Sequence, residues 1–176
     1  MIKIILLVLA ATVVLILVLA AFQPAEFRVT RSATVAAPAS AVFAEINDFH
    51  RWQNWSPWEK MDPNLKRTFE GPAAGMGSIY SWEGNKKVGS GRMTIAASLP
   101  SELIRIRLEF LKPWESTCVT EFTFAPEGSG TAVTWTMSGP NSFISKLIAV
   151  FMSMDKMIGG DFEKGLANLK SALETK

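Results

Sequence analysis

Ile104-Arg105-Ile106-Arg107-Leu108-Glu109-Phe110 is the stretch that decides the fold. Its apolar residues take every second position and its charges the positions between, the two-residue period of a strand with one face on a core and the other in water. Such a strand needs antiparallel neighbours along its edges and a second layer over its apolar face. The surrounding chain supplies both. Alternating runs predict further strands over residues 66–70, 78–82, 88–98, 117–124 and 131–138, and extend the quoted strand to 102–110. Gly71-Pro72, Glu83-Gly84-Asn85, Leu99-Pro100, Lys112-Pro113 and Glu127-Gly128-Ser129-Gly130 provide the turns.

The second layer comes from the C-terminal end. Between residues 141 and 176 the period becomes helical, and Phe143, Leu147, Val150, Phe151, Met154, Ile158, Phe162, Leu166, Leu169 and Leu173 form one stripe. A single long helix is expected, weakened or kinked at Gly159-Gly160, because glycine costs about 1 kcal/mol against alanine in a helix interior. Upstream, Phe27, Val29, Ala33 and Val35 alternate as a strand over 27–35. Ala36-Ala37-Pro38 then starts a helix carrying Val42, Phe43 and Ile46, and Trp52 and Trp55 fit a further short turn that Ser56-Pro57 ends. The expected class is α+β, with an antiparallel sheet of about six to seven strands against a long C-terminal helix.

The first twenty-two residues are a separate object. From Ile4 to Phe22 the chain holds no charge, glycine or proline and only Thr12 as a polar residue. As a helix this run reaches roughly 28 Å, the thickness of a hydrocarbon core. Small residues at Ala20 and Ala21 also allow a cleaved signal peptide, but signal cores usually span about 7–15 residues, so the length favours an uncleaved anchor. Residues 1–22 are therefore read as the anchor, 23–26 as a polar connector, and 27–176 as the folded domain. Lys3 and the terminal amine favour an N-terminus on the cytoplasmic side, against Arg28 and Arg31 beyond the run. That orientation makes a single-pass membrane protein with its domain on the extracytoplasmic side.

Composition removes several function classes. The formal net charge is +2 with acids and bases interspersed, so no basic stripe is available for nucleic acid. Cys118 is the one cysteine and His50 the one histidine, which excludes an intramolecular disulfide and leaves almost no material for a metal site. Neither a metal nor another cofactor is expected. Gly75-Met76-Gly77 and Gly89-Ser90-Gly91 lie between strands and are too short for a dinucleotide fingerprint.

Arg31-Ser32 through Ala37-Pro38, Val42-Phe43, Asp48-Phe49-His50-Arg51-Trp52-Gln53-Asn54-Trp55-Ser56-Pro57-Trp58 and Asp161-Phe162-Glu163-Lys164-Gly165-Leu166 resemble the polyketide cyclase/dehydrase and lipid-transfer branch of the SRPBCC superfamily, the START-like helix-grip proteins. The resemblance covers residues 27 to 176, and its most specific part is the tryptophan-rich run. It implies a curved sheet wrapped around the last helix and a deep apolar cavity between them. Across that superfamily such cavities take lipids, sterols, polyketides and hydrophobic hormones, and the fold does not choose a chemistry.

Within that frame, parity puts Tyr80, Trp82, Met93, Ile106, Leu108, Trp135 and Met137 on the inner face of the sheet as cavity candidates, and the helical stripe adds Phe151. An ordinary core would show the same pattern. Trp52 and Trp55, with Trp58, recur every third residue and form one cluster, either a plug closing the fold or a wall touching a ligand. Arg31 shares the parity of Phe27, Val29, Ala33 and Val35, so a regular strand points its guanidinium inward, where an unpaired charge is costly. It must be paired, snorkelling or released by a bulge, or else it binds a ligand carboxylate. His50 has no carboxylate at a spacing expected to orient it, which argues against base catalysis.

Three functions fit these residues: a carrier or sensor of an apolar small molecule or lipid at a membrane, a cyclase or dehydrase using Arg31, Tyr80 or an acid of the tryptophan-rich segment, and a protein-interaction module. The generous apolar lining and the lack of acid–base pairs favour the first. The full chain is expected to fractionate with membranes and resist carbonate extraction, while a chain beginning at Glu26 is soluble and folded. A shortened N-terminus in the mass of the mature protein would instead establish cleavage.

Overall fold

The computed structural model describes residues 1–174. Helix α1 spans Ile2–Ala21, and strand β1 spans Glu26–Val35. Helix α2, Ala39–Ile46, follows Pro38 and leads into two 3₁₀ turns, Phe49–Asn54 and Pro57–Lys60. Six more strands then run as β2 (Lys66–Glu70), β3 (Ile79–Glu83), β4 (Ser90–Leu99), β5 (Leu103–Lys112), β6 (Ser116–Glu127) and β7 (Gly130–Pro140). Two helices close the chain, α3 (Phe143–Ala149) and α4 (Met154–Glu174).

The strands form one antiparallel sheet in the order β1-β7-β6-β5-β4-β3-β2. Consecutive strands from β2 to β7 pair as hairpins, and β1 returns to cover the free edge of β7. Breaks of register at Ser90/Gly91 and Ile95/Ala97 bend the sheet on β4, as bulges do. The quoted strand pairs in register with β6 from Leu103↔Thr123 to Phe110↔Ser116. Ile104, Ile106 and Leu108 are buried, while Arg105 and Arg107 reach water and ion-pair with Glu121 and Glu109.

Helix α4 packs on the buried face, chiefly against β1. Phe162, Leu166 and Leu169 are buried on its inner side. Two glycines set how close it comes. A Cβ on Gly165 would sit 2.8 Å from the Trp135 ring and 3.3 Å from Pro57, so a larger residue there would lift the helix off the sheet. A Cβ on Gly159 would meet the Arg31 guanidinium at 2.1 Å. Arg31 lies across that gap and donates twice to Asp155, at 2.7 and 3.1 Å, and from Nε to Glu163 at 2.6 Å. It raises its own pKa and lowers that of Asp155 through these bonds. Pairing thus resolves the inward charge.

The single long helix of the sequence reading is corrected to two. Helix α4 passes through Gly159-Gly160 without interruption, and the break falls at residues 150–153. Serine caps explain this: the Ser142 side chain accepts from Ser145 N at 3.1 Å, and Ser153 Oγ accepts from Lys156 N at 3.4 Å. A serine at the N-cap satisfies amides that the helix leaves free, and so marks a new start. Phe143 and Phe151 consequently leave the buried stripe and are exposed.

Leu166→Asp is expected to abolish folding, because a buried unpaired carboxylate costs several kcal/mol. Gly165→Val should lose about 1–3 kcal/mol by overpacking against Trp135, and Arg105→Ala well under 1 kcal/mol as a surface change. Thermal denaturation of the three variants checks this order.

Candidate functional site

Between the inner face of the sheet and α4 lies a cavity of about 220 Å³. Its floor is Tyr80, Trp82, Met93, Leu108, Trp135 and Met137, which alternate on β3, β4, β5 and β7. Ile158 and Phe162 of α4 form the roof, and Trp52 and Trp58 of the 3₁₀ turns close one side. Exposed Lys87 and the half-buried Val88, Trp82 and Phe110 stand at the opposite side, which marks the mouth. Trp82 pairs with Gly91 across the strands, and its ring occupies the space a Cβ there would need. Its Nε1 donates to Val88 O at 3.3 Å, which ties the mouth loop to the sheet.

Few polar groups enter this wall: Ser56, Thr120 and the pair Glu59 and Tyr80, with Lys87 at the mouth. Glu59, almost fully buried, accepts from the Tyr80 hydroxyl at 2.5 Å and from Arg67 Nε at 2.6 Å, so each carboxylate oxygen has a partner. Arg67 also donates to Glu59 O and Leu65 O. Burial is the first cause holding the Tyr80 pKa far above its ordinary value, followed by its bond to Glu59 and that carboxylate's charge; Arg67 opposes them. The phenol is therefore neutral, with its oxygen held between Glu59 and Arg67. Asp62, also buried, accepts from Asn85 N at 2.6 Å and Asn64 N at 2.9 Å, holding the loop at the mouth.

Seven of the residues singled out from sequence meet at this cavity: Trp52, Tyr80, Trp82, Met93, Leu108, Trp135 and Met137. Four do not. Trp55 is fully buried against Trp52, Phe122 and Trp135, with ring centroids 4.7–6.1 Å apart, and serves as the plug. Ile106 faces the same side as Leu108 but is wholly buried one step further along β5, outside the cavity lining. Arg31 is spent on Asp155 and Glu163 at the edge of the sheet. Phe151, in the break between α3 and α4, is 75% exposed.

His50 does have an orienting carboxylate, contrary to the reading from spacing. Asp48 caps the first 3₁₀ turn through His50 N and also contacts His50 Nδ1, both at 2.9 Å. The imidazole stacks on Phe69 at 4.1 Å, away from the cavity lining. Cys118 is buried and its thiol is pushed up to about 12, so it is no nucleophile. No cluster suited to a metal ion occurs among the described residues.

Sequence reasoning pointed to an acid of the tryptophan-rich segment without naming Glu59, and it missed Arg67. Glu59 immediately follows the tryptophan-rich run, and Arg67 has the same parity as the half-buried Phe69 on β2, the very anomaly that drew attention to Arg31. A charge at an inward position on two strands predicts carboxylate partners, and both arginines have them: buried Glu59 for Arg67, and the more exposed Asp155 and Glu163 for Arg31.

A family described as polyketide cyclase / dehydrase and lipid transport matches residues 26–174. Solved structures with the same fold include a protein from Chromobacterium violaceum, 16% identical, covering 86% of this chain and 99% of that one at a TM-score of 0.56. The Aha1 dimer from Colwellia psychrerythraea is 14% identical, with coverage of 84% and 96% and a TM-score of 0.60. The di-domain ARO/CYC BexL from the BE-7585A biosynthetic pathway is 14% identical at a TM-score of 0.63; 90% of this chain matches 53% of that one. These likenesses show the fold. No curated protein matches the sequence.

Tyr80 is the sole tyrosine, so its ionisation can be read directly. Its folded pKa lies above the usual value of about 10, so the unfolded chain loses this proton first and stability falls as pH rises above about 10. Phenolate absorbance is expected to appear only together with loss of the circular-dichroism signal of the fold. A phenolate titrating near pH 10 in an intact fold would contradict the burial of this hydroxyl.

Proposed function

The chain belongs to the polyketide cyclase / dehydrase and lipid transport family, and on that premise we propose that it is a membrane-anchored domain that binds or carries an apolar small molecule or lipid beneath α4. The observation carrying this reading is the wall of the cavity. Aromatic and aliphatic side chains make most of it, and the polar groups among them are few: Glu59 with Tyr80, the hydroxyls of Ser56 and Thr120, and Lys87 at the mouth. Apolar pockets with a few fixed polar groups bind by shape and use the polar groups for orientation. The hydroxyl residues Ser56, Tyr80 and Thr120 in the lining suit a ligand that carries a polar group at one end. At about 220 Å³ the space lies below the roughly 300–1,000 Å³ of drug-sized pockets, so it takes a compact molecule or one end of a longer one.

The anchor in this reading is α1, a 20-residue apolar helix that leaves nearly all its side chains outside the folded domain. Lys3 keeps the N-terminus on the cytoplasmic side, and the domain then stands on the extracytoplasmic face.

A cyclase or dehydrase activity is the second reading, favoured by the presence of a buried carboxylate and a phenol side by side in the wall. The same geometry weighs against it. A general acid works best with a pKa near the operating pH, and Tyr80 is driven the other way. Both Glu59 oxygens are already engaged. The pair is better suited to orienting a ligand than to moving a proton.

A fluorescent apolar probe titrated into the detergent-solubilised full chain tests the carrier reading. Leu108→Phe and Met93→Phe fill the cavity and should weaken the probe by about tenfold or more, whereas Arg31→Met should leave both neutral and anionic probes unaffected. Unchanged binding in the two filled variants, with their folds intact, would remove the cavity as the binding site.

A further inference from the structure

The strand register collects one set of features at a single end of the sheet. The start of β1 pairs with the end of β7 at Glu26↔Pro140, and the end of β7 pairs with the start of β6 at Val119↔Ser138. The start of β6 meets the end of β5 at Phe110↔Ser116, and Ser90↔Lys112 and Glu83↔Ser90 continue to β4 and β3. The exit of α1, helix α3, the tip of the β5–β6 hairpin and the β3–β4 loop therefore share one end. The cavity mouth, at Lys87, Val88 and Phe110, belongs to it.

That end is also where apolar side chains are left in the open. Helix α3 and the 150–153 break expose Phe143, Ile144, Ile148, Phe151 and Met152, and the hairpin tip exposes Leu111 and Trp114, the latter 75%. At the opposite end only Met76 and Leu99 are large, apolar and exposed among the described residues. Helix α3 packs against α1, whose buried position is Ala20, one residue from the helix end. Asn141 secures the junction, donating from its backbone to Ala25 O at 2.8 Å and from Nδ2 to Pro24 O at 3.0 Å. An apolar helix fastened alongside the last turns of a membrane span lies at the depth of the lipid headgroups and upper chains. Counting strand spacings from β1, the hairpin tip stands roughly 10–15 Å away, within the same footprint.

We propose that this end of the domain is seated on the bilayer that holds α1, with α3, the 150–153 break and the Leu111–Trp114 tip in the interfacial layer, so that the cavity opens onto lipid. The inference rests on α1 being the membrane anchor. Lys86, Lys87 and Lys112 stand around the tip, with Glu83 and Glu115 among them, so apolar contact and not net charge carries the docking. Tryptophan is favoured at this depth because its ring is amphipathic. A ligand then passes between bilayer and cavity without crossing water.

Depth-dependent quenching in the full chain tests the seating. An environment-sensitive label is attached at Phe151→Cys, Trp114→Cys or Met76→Cys; native Cys118 is buried with its thiol pushed up to about 12 and takes no label. Each labelled chain is reconstituted in neutral phosphatidylcholine vesicles with spin-labelled acyl chains. Labels at 151 and 114 should each lose about half or more of their emission, as expected for side chains 5–10 Å into the interface, and the label at 76 almost none. Quenching at 151 alone would overturn the proposal, since α3 would then follow the anchor while the cavity mouth stayed in water. Quenching at neither, or at all three alike, would overturn it as well. Because no ligand is present, the outcome is independent of whether the cavity binds the apolar probe.

Discussion

Trp135 under Phe162 is the contact on which the rest of the structure depends. The two rings stack at 4.1 Å and 12°, joining the second strand of the sheet to the long helix that covers it. Around that pair Trp55, Trp58 and Phe122 meet Trp135 at 4.8–5.8 Å, so five large rings share one small volume. Aromatic pairs in edge-to-face and offset stacks contribute about 0.5–1.5 kcal/mol each beyond the area they bury. The arrangement works only if α4 comes close, and Gly165 permits that at the point of closest approach. The helix is thereby fixed in position before any ligand arrives.

The cavity is what the fixed helix leaves over. Near Trp135 the two layers touch; toward β3 and β4 the bulged sheet diverges from α4, and Tyr80, Trp82 and Met93 do not fill the gap. Arg31 locks the other margin. Its guanidinium fits over Gly159 and reaches two carboxylates, Asp155 and Glu163, each about one helical turn from that glycine. The glycine that propensity marks as a weak point is therefore where a side chain from the sheet crosses the helix. A similar arrangement, an arginine and a carboxylate, steadies the far wall at Arg67 and Glu59.

Sequence periodicity made the sheet legible because burial on one face imposes a period of two, and a slip of one residue would expose every core side chain. All seven strands and the inner-face residues Tyr80, Met93, Leu108, Trp135 and Met137 follow from it. Periodicity failed where a helical stripe continues across a break: Phe143 and Phe151 fit the pattern of Phe162 and Leu166 but belong to a different environment. The Ser142 and Ser153 caps were the available signal. Parity also says nothing about position along a strand, so Ile106 and Leu108 looked alike although only Leu108 reaches the cavity. Glu59 escaped because the residues around a short 3₁₀ turn have no long period to read.

The central claim is that ligand occupies the space between Met93, Met137 and the roof of α4. Methyl NMR of methionine-labelled full chain in micelles measures this directly, because the eight methionines include residues in the cavity, in the 150–153 break, at the start of α4 and in the distant β2–β3 loop. Addition of a long-chain alcohol should shift the ε-methyl resonances of Met93 and Met137, which line the cavity, and leave that of exposed Met76 unchanged. Shifts confined to Met152, Met154 and Met157, beside α3, with Met93 and Met137 unmoved, would contradict the account.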